Sequence, residues 1–448
     1  MAPACRIALV VCAAALTGAR PLAAEPVPEV AQYVGPGRCE ASNCHGSAVP
    51  RSDPDAAILQ NEYLTWSVND PHSKAYGVLA GESGFRMARL LGLSGNGTNA
   101  STWLTASGAK PEQCLDCHTL NVPAMGRAKS FTLTDGVSCE ACHGAAGAWV
   151  DRHSDPAWTA DQSVELGMVD TRDPAVAAEQ CLGCHLGDER RRVGHDLIAA
   201  GHPPLVFELY AYAAMMPPHW RRHEGNAGWF DGRAWVAGQA VGLRQAVRHI
   251  AEQGRAAGWP EFANYDCFGC HHDLTSESWR KARQRAGGLG RPSLTLSNYA
   301  TLRVVGRALA PREAPSLDAA YRRLADLVRA GETGEALAEA TPAVATAADR
   351  ILDQISPTSL GVTEIDQLLR ALAGEGRSDA PDGFRTAQQV AWGLEALAVA
   401  RVNLTNGSLS ADPLRATLDP LFDELRSPKA YSPEGFARQL QRVTEELP

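Results

Sequence analysis

Every cysteine beyond residue 24 belongs to a short motif that ends in Cys-His, and the chain carries five such motifs. They span residues 39–45, 114–118, 139–143, 181–185 and 267–271. Two residues separate the cysteines in four motifs, and four residues separate them in the first. In a C-x-x-C-H unit, two thiols bond to the vinyl groups of a haem and the adjacent imidazole binds the iron. This spacing predicts covalent attachment of five c-type haems, each with its iron.

Each motif would supply three side chains to its haem. The cysteines predicted to carry the haems are Cys39, Cys44, Cys114, Cys117, Cys139, Cys142, Cys181, Cys184, Cys267 and Cys270. The histidines predicted to bind iron on the proximal side are His45, His118, His143, His185 and His271. The first motif stays in this set because c-type attachment also tolerates a longer loop between the cysteines.

Zinc sites and disulfides are the alternatives to haem. Four C-x-x-C pairs could form two zinc sites of four thiolates each, with the fifth pair left over. Disulfides suit an even number of cysteines in an exported protein. Neither alternative explains why a histidine follows the second cysteine every time, because histidine is only 13 of 448 residues. We therefore interpret the motifs as haem attachment sites.

The first 24 residues have the pattern of a secretory signal peptide. Arg6 is followed by an apolar run over residues 7–16, and small residues end the segment at Ala23 and Ala24. The run is too short to span a bilayer as a helix, although an uncleaved anchor is an alternative. We predict export to the periplasm, where c-type haem is attached, and no transmembrane span in the mature chain.

The chain is acidic, with 42 basic and 51 acidic residues and a formal net charge of −9. Removal of residues 1–24 would take away Arg6 and Arg20 and no acidic residue. Ionised haem propionates would add further negative charge. This balance argues against a nucleic-acid partner and favours basic redox proteins as electron donor and acceptor, through electrostatic steering.

Cysteine and histidine divide the chain into two halves. All of them lie before residue 273, and neither residue type occurs from there to the end. Turn-forming residues 287–292 (Gly-Gly-Leu-Gly-Arg-Pro) lie near the change in composition. We predict a signal peptide over residues 1–24, a pentahaem cytochrome c domain over 25–290 and a haem-free helical domain over 291–448.

The predicted fold class is mainly α. In the first half the haems would take the place of a polypeptide core, so that short helices and loops form around them with little regular sheet. The second half shows apolar residues at i, i+3 and i+4 spacing, which predicts an all-α bundle. The predicted helices cover residues 317–330, 333–355, 359–373, 382–404, 413–425 and 433–447, with a split or kink at Pro342.

Eight histidines lie outside the proximal positions and could serve as second axial ligands. A low-spin electron-transfer haem needs such a ligand, whereas a catalytic haem keeps the position open. We interpret His249 as structural, because it lies in a helical segment, and we make no specific assignment for His223. The distal candidates are His72, His153, His195, His202, His272 and His219.

Several segments resemble the tetrahaem cytochrome c-554 family of electron carriers and its multihaem relatives. The first is Tyr-Val-Gly-Pro-Gly-Arg-Cys at 33–39, followed by Trp-Ser-Val-Asn-Asp-Pro-His-Ser-Lys-Ala at 66–75. The most specific is Asp-Gly-Val-Ser-Cys-Glu-Ala-Cys-His-Gly at 135–144, followed by His153. The resemblance covers residues 33–190. Residues 194–203, 218–220 and 266–274 resemble uncharacterised multihaem relatives.

The resemblance implies a particular ligand pattern. His72 would ligate the iron held by His143, and His153 would ligate the iron held by His45. The family's second haem is five-coordinate, which would leave the iron of His118 open. For the fourth and fifth haems, the best candidates are His195 and His202, with His272 and His219 behind them. This chain departs from the family in its fifth haem, its longer first motif and its haem-free half.

Two functions are compatible with the sequence. The favoured one is a periplasmic electron carrier that passes single electrons through five haems. The alternative is a multihaem oxidoreductase that acts on a small inorganic nitrogen or sulfur compound at one open haem. The Cys-x-x-Cys-Lys motif of pentahaem nitrite reductases does not occur in the sequence, and hydroxylamine oxidoreductases carry eight haems. We therefore favour electron transfer over catalysis and assign no catalytic residue.

Overall fold

The computed structural model describes residues 31–53, 56, 58–222, 224–255, 260–271, 294–332, 334–376, 383–405 and 413–447. The predicted signal peptide, the predicted boundary at 290, and the histidines His223 and His272 lie outside the described residues. Within those ranges the protein is mainly helical, as the sequence predicted, and its only β-pairings are isolated bridges, Tyr33 to Arg127 and Tyr265 to Leu294. Across the same ranges, no helix combines the length and apolar character needed to cross a membrane.

The helices that precede residue 220 are short. They span Glu62–Leu64, Ala75–Leu79, Glu82–Leu90, Glu112–His118, Cys139–His143, Ala160–Glu165, Pro174–His185, His195–Ala200 and Leu209–Met215. Short 3₁₀ turns at Pro36–Arg38, Pro71–Lys74, Trp103–Thr105, Ala124–Gly126 and Leu133–Asp135, and a π-helical turn at Thr65–Asn69, connect them. Later come the 3₁₀ turns Glu224–Trp229 and Phe262–Asn264 and the short helix Cys267–Cys270.

Three attachment motifs lie at the C-terminal end of a helix, so that His118, His143 and His185 are the last helical residues. Residues three apart lie on the same side of a helix, and the two cysteines of a C-x-x-C pair therefore face one haem together. Gly144 follows His143 with φ 77°, a left-handed conformation that glycine adopts without steric cost. The local sequence thus ends the helix immediately after the iron-binding histidine.

A central helix, Arg233–Arg255, is almost entirely buried and packs against the C-terminal half. The C-terminal helices are Ser297–Leu309, Ala314–Ala330, Gly334–Ile355, Val362–Gly376, Phe384–Thr405, Pro413–Glu424 and Pro433–Glu446. Six of them match predicted segments to within a few residues. Helix Ser297–Leu309 was not predicted, and helix Gly334–Ile355 runs through Pro342 without the predicted split.

One hydrophobic core joins the two halves of the chain. It includes Leu182 from the helix of the fourth motif, Trp235 from the central helix, and Ile351 from the C-terminal half, each almost fully buried. Arg244 of the central helix forms ion pairs with Glu179 on one side and Asp349 on the other. The segment that carries the fourth motif is therefore fixed to the C-terminal helices.

Candidate haem centres

The cysteines of all five motifs are free thiols, and thiols of different motifs contact one another. Cys39 hydrogen-bonds to Cys139, which lowers the pKa of Cys39 and raises that of Cys139. Cys117 hydrogen-bonds to Cys184, which raises the pKa of Cys117 and lowers that of Cys184 to about 6. The first motif is therefore adjacent to the third, and the second motif to the fourth.

Four proximal histidines each face another histidine at nearly the same separation. The ring-centre distances are 6.1 Å for His45 and His153, 6.0 Å for His185 and His72, 6.4 Å for His118 and His202, and 6.2 Å for His271 and His195. The ring planes are almost parallel in the first pair, 23° apart in the last, and close to perpendicular in the other two. Each pair joins a motif histidine to a distal candidate.

This separation fits one iron between each pair of rings. An imidazole nitrogen binds a transition-metal ion at about 2 Å, and the ring centre lies about 1.1 Å behind that nitrogen. Two imidazoles on opposite sides of one ion should therefore have centres about 6.2 Å apart. Rings in direct stacking contact approach more closely, as His185 and Phe207 do at 4.4 Å. The spacing and the donor set both fit haem iron with two axial histidines.

Hydrogen bonds at Nδ1 leave Nε2 available for iron in most of these histidines. Nδ1 of His45 and Nδ1 of His72 bond to the carboxylates of Glu62 (3.0 Å) and Asp70 (2.9 Å). Four other histidines bond at Nδ1 to a backbone carbonyl oxygen: His118 to Ala75 (3.1 Å), His153 to Val150 (2.7 Å), His202 to Pro203 (2.7 Å) and His219 to Pro217 (3.3 Å). An acceptor at Nδ1 holds the proton there and orients the ring, as metal-binding histidines require.

Two of these acceptors are carboxylates. Glu62 accepts from His45 and also from the backbone N–H groups of Leu59 and Gln60. Its hydrogen bond raises the pKa of His45. Asp70 accepts from both the ring and the backbone N–H of His72, and its hydrogen bond raises the pKa of that histidine. Both carboxylates thus favour positive charge on the ring that they hold.

Partial burial lowers the pKa of the third proximal histidine, His143, to about 4. The charges of His219 and His45 also act on it and lower its pKa further. Burial lowers the pKa of His219 in turn. Among the distal candidates, His219 is the one whose charge acts on His143.

Glu261 joins the two segments of the pair His195 and His271. One carboxylate oxygen accepts from the backbone N–H of His195, the first residue of helix His195–Ala200. The same oxygen accepts from Ala263 and caps the 3₁₀ turn that precedes the fifth motif. The two histidines are far apart in sequence, and this side chain fixes their segments to each other.

Two pairings differ from those implied by the resemblance. His72 faces His185 of the fourth motif and not His143, because Asp70 caps the 3₁₀ turn Pro71–Lys74 and holds the ring in that direction. The resemblance implies an open iron at His118, whereas the ring of His202 lies with its centre 6.4 Å from that of His118. His202 follows Gly201, whose φ of 119° reverses the chain after helix His195–Ala200.

A buried carboxylate, Glu140, was not recognised from the sequence as a site residue. It lies between the two cysteines of the third motif and is 3% exposed. It accepts hydrogen bonds from the backbone N–H groups of Val34 (2.9 Å), Gly35 (2.8 Å) and Ala146 (2.8 Å). Because residues 33–39 lead into the first motif, Glu140 ties the first attachment segment to the third. The only sequence signal was its presence in the Gly-Val-Ser-Cys-Glu element.

His249 is positioned differently from the paired histidines. It is buried on the central helix, and its Nε2 lies against Gly187, just after the fourth motif. No ring pair with a proximal histidine is recorded for it among the described residues. This position agrees with the structural role expected from the sequence, and the candidate His272 lies outside the described residues.

The family model described as cytochrome c554 and c-prime matches residues 39–144, which contain the first three motifs. This match supports a c-type cytochrome similar to the cytochrome c554 family over that segment. No curated protein and no solved structure matches the chain. The cytochrome c554 match ends at the third motif, so the prediction of a fourth and a fifth haem rests on their motifs and on the paired histidines of the structure.

Proposed function

We propose that this cytochrome transfers electrons through five covalently bound c-type haems, each held by two axial histidines. The observation that carries the proposal is the repeated separation of 6.0–6.4 Å between histidine rings. The proposed axial pairs, in motif order, are His45 with His153, His118 with His202, His143 with His219, His185 with His72, and His271 with His195. The third pair, His143 with His219, is supported by the effect of the His219 charge on His143.

When bound, haem iron supplies one-electron chemistry between its ferric and ferrous states. Hydrogen bonds at Nδ1 would hold both imidazoles of the first and second sites, and one imidazole each of the third and fourth sites, in place. Burial of His143 and His185, whose pKa values both fall to about 4, favours the neutral imidazole that binds metal. Because the ligands stay fixed in both oxidation states, little rearrangement would accompany each electron.

Thiol contacts support a continuous route between the sites. Cys39 contacts Cys139, and Cys117 contacts Cys184. Charge on Cys142 also acts on Cys181, which links the third motif to the fourth. The motifs are thus adjacent in the order first, third, fourth, second. We propose that electrons move between neighbouring sites in this order, in one direction or the other.

The catalytic alternative depended on an open iron at His118. His202 faces that histidine at the distance expected for a second axial ligand. Electron transfer is therefore the function that the geometry supports, and we propose no reaction on a small nitrogen or sulfur compound.

We further propose that residues 1–24 direct export to the periplasm and are removed there. The acidic mature chain would exchange electrons with basic donor and acceptor proteins through electrostatic attraction, which salt weakens. We retain the division into a haem-bearing segment, 25–290, and a helical segment, 291–448. The shared core supports a role for the helical segment in holding the fourth motif in place.

Intact-mass measurement and spectroscopy of the purified holoprotein test this proposal together. We expect the mass of the chain without residues 1–24 plus five haems, and five low-spin ferric haems. A mass that corresponds to four haems would indicate that the first, longer motif carries no haem. Zinc in place of haem, or two or more high-spin haems, would overturn the proposed ligation.

A further inference from the structure

We propose that the carboxylates of Glu62 and Asp70 make the first and fourth haems the low-potential sites of this cytochrome. The inference rests on the proposed function, because it requires axial ligation of these two irons by His45 and His72. It concerns the order of the reduction potentials of the five haems. That order decides which haems hold the electrons and which haems give them up first.

Both carboxylates are placed to act directly on an axial ligand. Glu62 lies 3.0 Å from Nδ1 of His45, and Asp70 lies 2.9 Å from Nδ1 of His72. Their side chains are only 16% and 4% exposed, so that solvent screens their charges weakly. Each also accepts backbone N–H groups, which fixes it in this position.

A carboxylate at Nδ1 changes the electronic character of the imidazole. It draws the Nδ1 proton towards itself, and Nε2 becomes a stronger electron donor to the iron. Reduction adds one electron to the iron and removes one positive charge from the site. A stronger donor and a nearby negative charge both stabilise the ferric state, which carries more positive charge. The reduction potential of that haem therefore falls.

The second haem provides the contrast within the same molecule. Its two proposed ligands, His118 and His202, both donate to backbone carbonyl oxygens, of Ala75 and Pro203. A neutral carbonyl is a weaker acceptor than a carboxylate, since charge-assisted hydrogen bonds are about twice as strong as neutral ones. We therefore expect a higher potential at the second haem than at the first and fourth.

The test uses Asp70→Asn and Glu62→Gln in the full-length holoprotein, measured by redox titration with visible and electron paramagnetic resonance spectra. Asparagine keeps an oxygen that can accept both hydrogen bonds of Asp70, so this variant removes charge and little else. We expect each variant to raise one reduction potential, with about a fivefold change in the ratio of reduced to oxidised haem at a fixed potential.

The angle between the two imidazole planes identifies the haem whose reduction potential changes. Perpendicular imidazole planes keep two iron d orbitals nearly equal in energy and give a highly anisotropic ferric signal, whereas parallel planes separate them and give a rhombic one. The planes of His72 and His185 are 89° apart, and those of His45 and His153 are 4° apart. Asp70→Asn should therefore shift a highly anisotropic signal, and Glu62→Gln a rhombic one.

Glu339→Gln and Asp353→Asn are matched controls, because both residues are exposed on helix Gly334–Ile355 in the histidine-free half. They should leave all five potentials unchanged. Five low-spin haems with unshifted potentials in both site variants would overturn the inference and leave the proposed function intact. An equal shift of every haem would also overturn it. Loss of haems, or a high-spin first or fourth haem in the unaltered protein, would instead contradict the proposed ligation.

Discussion

The ring centres of His202 and His118 lie 6.4 Å apart, and the planes of the two rings are 88° apart. His118 ends helix Glu112–His118 and is held at Nδ1 by the carbonyl of Ala75. His202 lies 84 residues further along the chain, outside the segment matched by the cytochrome c554 family. The later part of the chain thus supplies a ligand candidate to the haem predicted at the second motif.

His202→Ala should open the second haem to external ligands. With one axial position vacant, its ferric iron should become high-spin, and its ferrous iron should bind carbon monoxide. The ferric spectrum should show one high-spin and four low-spin haems, and added imidazole should restore the low-spin state. His249→Ala is the control, since His249 packs against Gly187 on the central helix. An unaltered protein that already binds carbon monoxide would contradict the pairing.

Replacement of His219 distinguishes the proposed pairing from the one implied by the resemblance. His219→Ala should convert one haem to high spin, that held by His143, because His219 is the distal candidate whose charge acts on His143. His72→Ala should convert a different haem, and the double variant should show two high-spin haems. The measurement is quantitative spin counting of the ferric proteins. If the His219→Ala variant stayed fully low-spin, His72 would again be the favoured ligand for the iron of His143.

The sequence alone suffices to propose the haem attachment residues, because the residues of each motif lie within a few positions of each other. Their chemistry requires a fixed local spacing, and the helices that end at His118 and His143 follow from it. The C-terminal helices were equally predictable, since apolar periodicity marks a helix face wherever it packs. The predicted split at Pro342 is not observed, because the helix continues through it and has buried residues both before and after it, such as Leu337 and Ile351, whose packing offsets one lost hydrogen bond.

The distal pairing could not be predicted, because it depends on contacts between residues far apart in the chain. The direction of His72 is set by the cap from Asp70, and that of His202 by the turn at Gly201. Glu62 lies 17 residues after His45, a separation that carries no periodic signal. A ligand's residue type is visible in a sequence, whereas the iron that it reaches depends on the fold.

Glu140→Ala should destabilise the first attachment segment. The change leaves three buried backbone N–H groups, of Val34, Gly35 and Ala146, without their acceptor. Hydrogen bonds to a charged group contribute about 1.5–3 kcal/mol each, so we expect a loss of about 3 kcal/mol or more in the free energy of unfolding. Urea denaturation measures the loss, and intact mass should show incomplete occupancy of the first motif. Glu165→Ala, on the exposed end of helix Ala160–Glu165, should change stability by less than about 0.5 kcal/mol.

Glu208 should make stability depend on pH near neutrality. This carboxyl is fully buried and caps helix Leu209–Met215, and burial raises its pKa from 4.5 to about 7, with a further increase from the charge of Glu395. Because the folded-state pKa is the higher one, its contribution to stability is complete below pH 4.5 and is lost as the pH rises through 7.

The unaltered protein should therefore lose up to about 3 kcal/mol of unfolding free energy between pH 4.5 and pH 8, compared with Glu208→Gln. Glutamine stays neutral throughout and keeps an oxygen to accept from the backbone N–H of Tyr210 or Ala211. Denaturant titrations at a series of pH values measure the difference. Glu82→Gln, an exposed substitution in the first turn of helix Glu82–Leu90, should leave the pH profile unchanged. Parallel profiles for the unaltered protein and Glu208→Gln would contradict the prediction, because they would show that folding does not raise the pKa of Glu208.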